Sequence, residues 1–269
     1  MDSLNAILNS LSVYISSEIK DRDALGISFL SYRLRHPTSH LERFKNIHRG
    51  EKCFVVGTGP SLKVEDIELL KGQVCFGVNT LFKIFNNTSW RPDYYCVIDP
   101  RTYSNIRKQL CENNVCNVFI AQNRMKEGFD EKNSIPFNLE CSSFYKIGLK
   151  NHLKTMKFSG DIVRQVYDGA SVVFAALQIA VYMGFSSIYL LGTDCNYDTN
   201  VLHASELGYS KDYNYNWTKQ TGLTMIEGFK VASEYAKKHG IKVYNATRGG
   251  MLEVFPRVNL EDIVGENDA

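Results

Sequence analysis

The chain has 269 residues, with Lys+Arg 31 against Asp+Glu 29 for a net charge of +2. Hydrophobic residues make up 44% and charged residues 22%, an ordinary globular composition that excludes disorder and collagen-like architecture and points to one large domain or one and a half. Nothing in this near-neutral balance argues for a nucleic-acid partner.

Residues 1–50 read as a helical N-terminal extension. Leu4, Ile7, Leu8, Leu11, Tyr14 and Ile15 recur at helical spacing, and Arg33, Arg35, Arg43 and Lys45 interleave with Leu34, Leu41 and Phe44. Such a segment suits packing on the main domain, homo-oligomeric packing on a second copy, or peripheral contact with an anionic membrane. The N-terminus lacks a signal-peptide pattern, and no apolar run approaches the ~20 residues of a membrane span. The cytoplasm is therefore the expected compartment. The seven cysteines are scattered without a Cys-x-x-Cys pair or zinc-ligand spacing, as small buried hydrophobes of a reduced protein are.

From Lys52 short apolar strands alternate with helices. Strands are predicted over 53–57, 74–78, 94–98, 118–121, 187–191 and 241–244, and helices over 64–70, 170–183 and 222–238. Gly184 and Gly240 close the last two helices. This rhythm predicts a doubly wound, mostly parallel α/β sheet over 51–265. Residues 122–165 lack the rhythm, carry Lys150, His152, Lys154 and Lys157, and suit an insertion or lid.

In such a sheet, ligands bind beyond the carboxyl ends of the strands. The first strand runs into Gly57-Thr58-Gly59-Pro60-Ser61. Its glycines allow close backbone approach to a phosphate, and Ser61 is placed to cap the helix near Val64. A tight structural turn would need the same residues. Asn79 and Asp99 end the next two strands, where they suit ribose hydroxyls or a base edge, or simply form turns. Asp99 could also hold a metal. Gly169-Ala170-Ser171 opens the Ala-rich helix, either as an anion cradle or as an ordinary cap. Asp194 ends Gly192-Thr193-Asp194 and suits a base, a metal ligand or a loop anchor. His203 follows in the loop as a candidate general base or a solvated side chain. Tyr209, Tyr213, Tyr215 and Trp217 suit a wall against a sugar or base ring, or equally packing on the core. His36, His40, His48 and His239 read as surface residues. No Gly-x-Ser-x-Gly elbow supports a hydrolase.

Several stretches together resemble a superfamily of Rossmann-like proteins. They are Phe44-Lys-Asn-Ile-His-Arg-Gly50 leading into Gly57-Thr-Gly-Pro-Ser61, Asn79, Pro92 to Pro100, Gly169 to Asp194, and Tyr244-Asn-Ala-Thr-Arg-Gly-Gly250. The superfamily includes the motility accessory factor glycosyltransferases, the 6-hydroxymethylpterin diphosphokinase-like (MptE-like) proteins and, more distantly, the family-42 sialyltransferases. The resemblance implies a Rossmann-like nucleotide-binding domain. By the sialyltransferase pattern, Gly57, Thr58, Gly59, Ser61, Asn79, Asp99, Gly169, Ala170 and Ser171 would line a CMP-sugar site. The chain departs from that pattern at Asp99, where the sialyltransferases have Asn, and at Cys195-Asn196, where they have aromatics. It also has no His over 213–224.

The implied function is transfer of a sugar, such as a CMP-linked acidic sugar, from a nucleotide donor to a bacterial surface glycan. His203 and Asp194 would be catalytic, no cofactor would be required, and the protein would be cytoplasmic or peripheral at the inner membrane. The alternatives are a pterin-type pyrophosphokinase, with Mg²⁺ held by Asp99 and Asp194, and a non-catalytic sugar-nucleotide-binding subunit.

Overall fold

The computed structural model describes residues 38–122, 133–140, 156–196 and 219–265. The elements in order are β1 (Lys52–Val56), α1 (Val64–Leu69), β2 (Cys75–Val78), β3 (Tyr94–Val97), α2 (Pro100–Glu112), β4 (Val118–Ala121), β5 (Ser134–Phe137), β6 (Leu139–Glu140), β7 (Val166–Tyr167), α3 (Val172–Tyr182), β8 (Ser187–Leu191), α4 (Lys219–Lys238), β9 (Lys242–Asn245) and α5 (Leu260–Gly265). A seven-stranded sheet runs β5-β4-β3-β2-β1-β8-β9, with every neighbouring pair parallel. Strands β6 and β7 form a separate parallel pair.

The apolar runs form strands because both sheet faces are covered. Alternate residues of β1 serve different layers. Cys53 and Val55 pack in one core with α3 and α4, while Phe54 and Val56 pack in the other with α1, α2 and α5. The chain therefore winds in a doubly wound α/β, Rossmann-like arrangement, as expected. Strand order reverses between β1 and β8, the switch point at which such sheets open a crevice.

Residues 122–165 are not uniformly outside this rhythm. Strand β5 extends the sheet at its edge, paired with β4. It carries Pro136, which an edge strand tolerates and a central one does not. Lys150, His152 and Lys154 lie outside the described residues, as does segment 1–37 of the N-terminal extension. The 3₁₀ turn Ser39–Phe44 packs on the domain through buried Leu41 and Phe44, and the Phe44 ring meets Phe119 edge-on at 5.1 Å.

The lead-in to β1 is a clamp. The amides of Asn46, His48 and Gly50 donate to the carbonyls of Tyr182, Met183 and Gly184 at 3.2, 2.9 and 3.0 Å, which satisfies the last turn of α3. His48 is not the surface residue expected. Its ring stacks on Phe185 with centroids 4.5 Å apart, Nε2 lies 2.8 Å from the Tyr94 hydroxyl and Nδ1 2.9 Å from Glu51. These bonds fix the end of α3 beside the start of β1. Its first turn consequently lies at the carboxyl ends of the strands it crosses, β1, β2 and β3. Among the described residues, no helix is long and apolar enough to cross a membrane.

His48→Ala removes the stack and leaves the Tyr94 hydroxyl without this partner. A loss of about 2 kcal/mol is expected, read as a lower urea midpoint at unchanged slope. An unchanged midpoint would show that the lead-in does not clamp the sheet.

Candidate functional site

The site is built at the switch point, where the loops after β1 and β8 meet. The Gly57 amide donates to the Leu191 carbonyl at 2.7 Å and the Gly59 amide to the Gly192 carbonyl at 2.8 Å. A Cβ on Gly57 would overlap the Gly192 carbonyl, and one on Gly59 the Asp194 carboxylate. The glycines thus permit the two loops to approach each other. Ser61 is not the helix cap expected. The N-cap of α1 is Lys63, whose amide is held by Asp66. The Ser61 hydroxyl instead donates to Asp194 Oδ2 at 2.8 Å, joining the two loops.

Asp194 is 7% exposed. Burial raises its pKa above the ordinary 3.8, while hydrogen bonds from Ser61 and the charge of Arg257 pull the other way. A carboxylate held so can accept or return a proton nearer neutrality than a solvated one. Cys195 follows at φ 51°; it is buried, and its thiol is pushed up to about 12 by burial and the adjacent carboxylate. It is a buried hydrophobe, as expected, like Cys53, Cys75 and Cys96, whereas Cys111 and Cys116 are exposed on α2 and in the loop after it and depart from that expectation.

Asn79 ends β2 in the left-handed region at φ 47°. The Tyr95 hydroxyl holds it there by donating to the Asn79 carbonyl at 2.8 Å. Its Oδ1 is buried and receives no hydrogen bond. A buried acceptor left so costs about 1–3 kcal/mol, which a ligand N–H or O–H would recover. Asp99 takes the cap role at the next strand end, accepting the Thr102 amide at 2.8 Å ahead of Pro100. Thr58 sits half-buried in the first loop.

The start of α3 is strained. Ala170 adopts φ 61°, which costs an L-residue about 1–2 kcal/mol. The Asp168 carboxylate accepts its amide at 2.8 Å. A Cβ on Gly169 would overlap the Phe174 ring, so Gly169 is small for packing. Ser171 is the N-cap but makes no side-chain cap bond. Gly57 to Ser61, Asn79 and Asp99 therefore stand on three adjacent strand ends, with the Ser171 turn on the same side of the sheet.

Asp99 and Asp194 do not share that proximity. Strands β3 and β8 are three spacings apart in the sheet, about 14 Å at ~4.8 Å each. Each carboxylate also faces a protein donor. The pair does not fit one Mg²⁺ between them. Among the described residues, no three His, Cys, Asp or Glu side chains cluster as metal ligands. His203 and the aromatic loop 209–217 lie outside the described residues.

A second support escaped the sequence reading. Asn245, fully buried at the end of β9, accepts the Thr247 amide at 2.9 Å and donates to the Leu252 carbonyl at 2.6 Å. Thr247 Oγ1 accepts the Thr193 amide at 3.0 Å, and the Met251 amide donates to the Asp194 carbonyl at 2.7 Å. The Tyr244–Gly250 motif thus holds the Asp194 corner. An Asn directly after an apolar strand was the available signal.

The model of the 6-hydroxymethylpterin diphosphokinase MptE-like proteins matches residues 30–200, more than half of the chain. The chain belongs to this MptE-like family. No curated protein matches it. Among solved structures, it is similar to the Maf glycosyltransferase from Magnetospirillum magneticum AMB-1, at 14% identity and a TM-score of 0.53. That likeness covers 83% of this chain but 37% of the other, so this MptE-like chain spans about a third of that protein. At this identity the likeness supports the fold, a Rossmann-like sheet.

Because burial raises the Asp194 pKa, its stability contribution is full below the ordinary 3.8 and is lost as pH rises through the folded value. Asp194→Asn removes the buried charge. The variant is expected to melt above the parent at neutral pH, with the gap closing as pH falls. A gap that widens on acidification would show that Asp194 is not a net burden when ionised.

Proposed function

We propose that this chain is the nucleotide-sugar-binding catalytic domain of a glycosyltransferase acting in bacterial surface glycan biosynthesis, with a CMP-linked acidic sugar as donor. The observation that carries the reading is the buried, unpaired Asn79 Oδ1 beside the Gly57–Ser61 turn. An acceptor oxygen fixed there suits a ribose hydroxyl or a base amino group, while the first turn of α3 on the same side suits the phosphate. The loop carrying Asp194 would face the transferred sugar. Asp194, held by Ser61, would stabilise or relay a proton, and His203 would deprotonate the acceptor hydroxyl. The fold likeness to a Maf glycosyltransferase supports this reading, as does the sialyltransferase-like order of motifs. Partners would be the sugar nucleotide and a glycan acceptor, with the extension before Thr38 meeting the inner membrane or a second copy.

The MptE-like family name favours a second reading, a pyrophosphokinase acting on a pterin-like alcohol. Such an enzyme needs charge neutralisation at the transferred phosphates. It would have to draw Mg²⁺ ligands from elsewhere than Asp99 and Asp194 jointly.

A thermal-shift panel of CMP, CDP, UDP, GDP and ATP, with Mg²⁺ or with EDTA, separates the two. CMP is expected to raise the melting temperature regardless of metal, since ligand at 100 times its Kd stabilises by about 2.7 kcal/mol. Asn79→Gly keeps the left-handed backbone and removes the amide, and is expected to weaken CMP about tenfold. A shift with ATP alone, abolished by EDTA, would replace this reading with the kinase.

A further inference from the structure

A cleft of about 430 Å³ opens on the other side of the loop after β9, within the ~300–1,000 Å³ range of small-ligand sites. Its charges cancel. Arg248 lies 2.5 Å from Asp66 and 3.4 Å from Glu261. Arg257 donates to both Glu253 oxygens and to the Thr247 and Gly250 carbonyls. A phosphate or carboxylate ligand would have to displace these carboxylates to reach either guanidinium. The polar groups on offer are of another kind. Asp66 is 1% exposed, and its Oδ1, though charge-paired with Arg248, accepts no hydrogen bond. Asn259 and Glu261 stand exposed in the lining. Beneath them, Val258 and Leu260 give the cleft an apolar floor.

Balanced charge, hydrogen-bonding side chains of both senses and an apolar floor match a neutral, hydroxyl-rich ring. Its hydroxyls both donate and accept, and its C–H face is apolar. The cleft also shares a wall with the Asp194 corner. Thr247 lines it while accepting the Thr193 amide, and Gly250, three residues on, packs against the Asp194 backbone.

We propose that this cleft is a subsite for a neutral sugar unit of the acceptor. The proposal rests on the glycosyltransferase reading, whose donor site lies across the shared loop.

The test is saturation-transfer NMR on the full chain with glucose, galactose, N-acetylglucosamine and their methyl glycosides. At least one probe is expected to show transfer. The signal should fall about tenfold in an Asn259→Ala, Glu261→Ala double variant. Both side chains are exposed, and an unchanged CMP titration and melting temperature confirm that the variant is folded. Absence of transfer from every sugar, transfer that persists in the variant, or displacement of the sugar by inorganic phosphate would overturn the proposal. CMP binding without sugar binding would sink the subsite and leave the donor reading standing. Sugar transfer lost in the variant, without CMP binding to the parent chain, would do the reverse.

Discussion

The structure depends on one close approach, that of the loops leaving β1 and β8. Their strands are neighbours, yet the chain between them makes four further strands of the main sheet before returning. The junction therefore joins residues more than 130 positions apart, as in the Ser61–Asp194 bond. Two glycines make it sterically feasible, because any Cβ at Gly57 or Gly59 would strike the opposite loop. The gain is a carboxylate buried at the switch point. Burial raises its proton affinity, and the Ser61 hydrogen bonds and the Arg257 charge oppose that rise. A group tuned in this way is costly for stability and useful for chemistry. Its cost is offset by cores that cover the sheet on both faces.

Strain is distributed accordingly. Asn46, Asn114 and Asn117 also adopt positive φ, but Asn tolerates that region in ordinary turns. Ala170 and Cys195 do not belong to the tolerant class, and both sit at loops on the carboxyl side of the sheet. Asn79 combines positive φ with an orphaned oxygen. Backbone strain and an unsatisfied acceptor in one region are what single out these strand ends for the proposed ligand site. The same loops could serve a sugar nucleotide or a nucleoside triphosphate, because backbone cradles and strand-end Asn and Asp recognise what the two share. The fold fixes the place of the chemistry and leaves its kind to the side chains around it.

Much of this was legible in the sequence for a definite reason. Strands buried on both faces must be apolar throughout, so β1, β2, β3, β4 and β8 stood out. Strand β5 did not, because Ser134-Ile-Pro-Phe137 is short, half-alternating and interrupted by a proline that only its edge position excuses. The glycine turn was legible as a site, but its partner was not, since a Cβ clash with a loop over 130 residues away leaves no local trace. Ser61 looked like a cap because it precedes a helix. Lys63 and Asp66 took that role, and the hydroxyl turned to Asp194. His48 looked exposed because it lies near the chain's N-terminal extension, and its stacking partner Phe185 is distant in sequence. Asn245 and Thr247 formed a motif without a role, since Thr247 meets Thr193 54 residues away and Asn245 closes its own loop on Leu252.

Helix α3 ties the two ends of the molecule together. Its last carbonyls are capped by the amides of the lead-in, and its start is set by Asp168 and the strained Ala170. Eleven residues at ~1.5 Å each make about 16 Å, matching a five-residue strand at ~3.3 Å per residue. With one end pinned by Asn46, His48 and Gly50, the other cannot slide without breaking those bonds or releasing the Asp168 turn. Gly228 of α4 packs directly on the Gly169 backbone and removes the remaining freedom sideways. The first turn of α3 is thereby held at a fixed height above the strand ends. A helix terminus binds an anion only where its amides are already aimed. The lead-in, though at the far end of the sheet, holds that first turn in place, so under the proposed function its residues would serve the site as well as the stability of the fold.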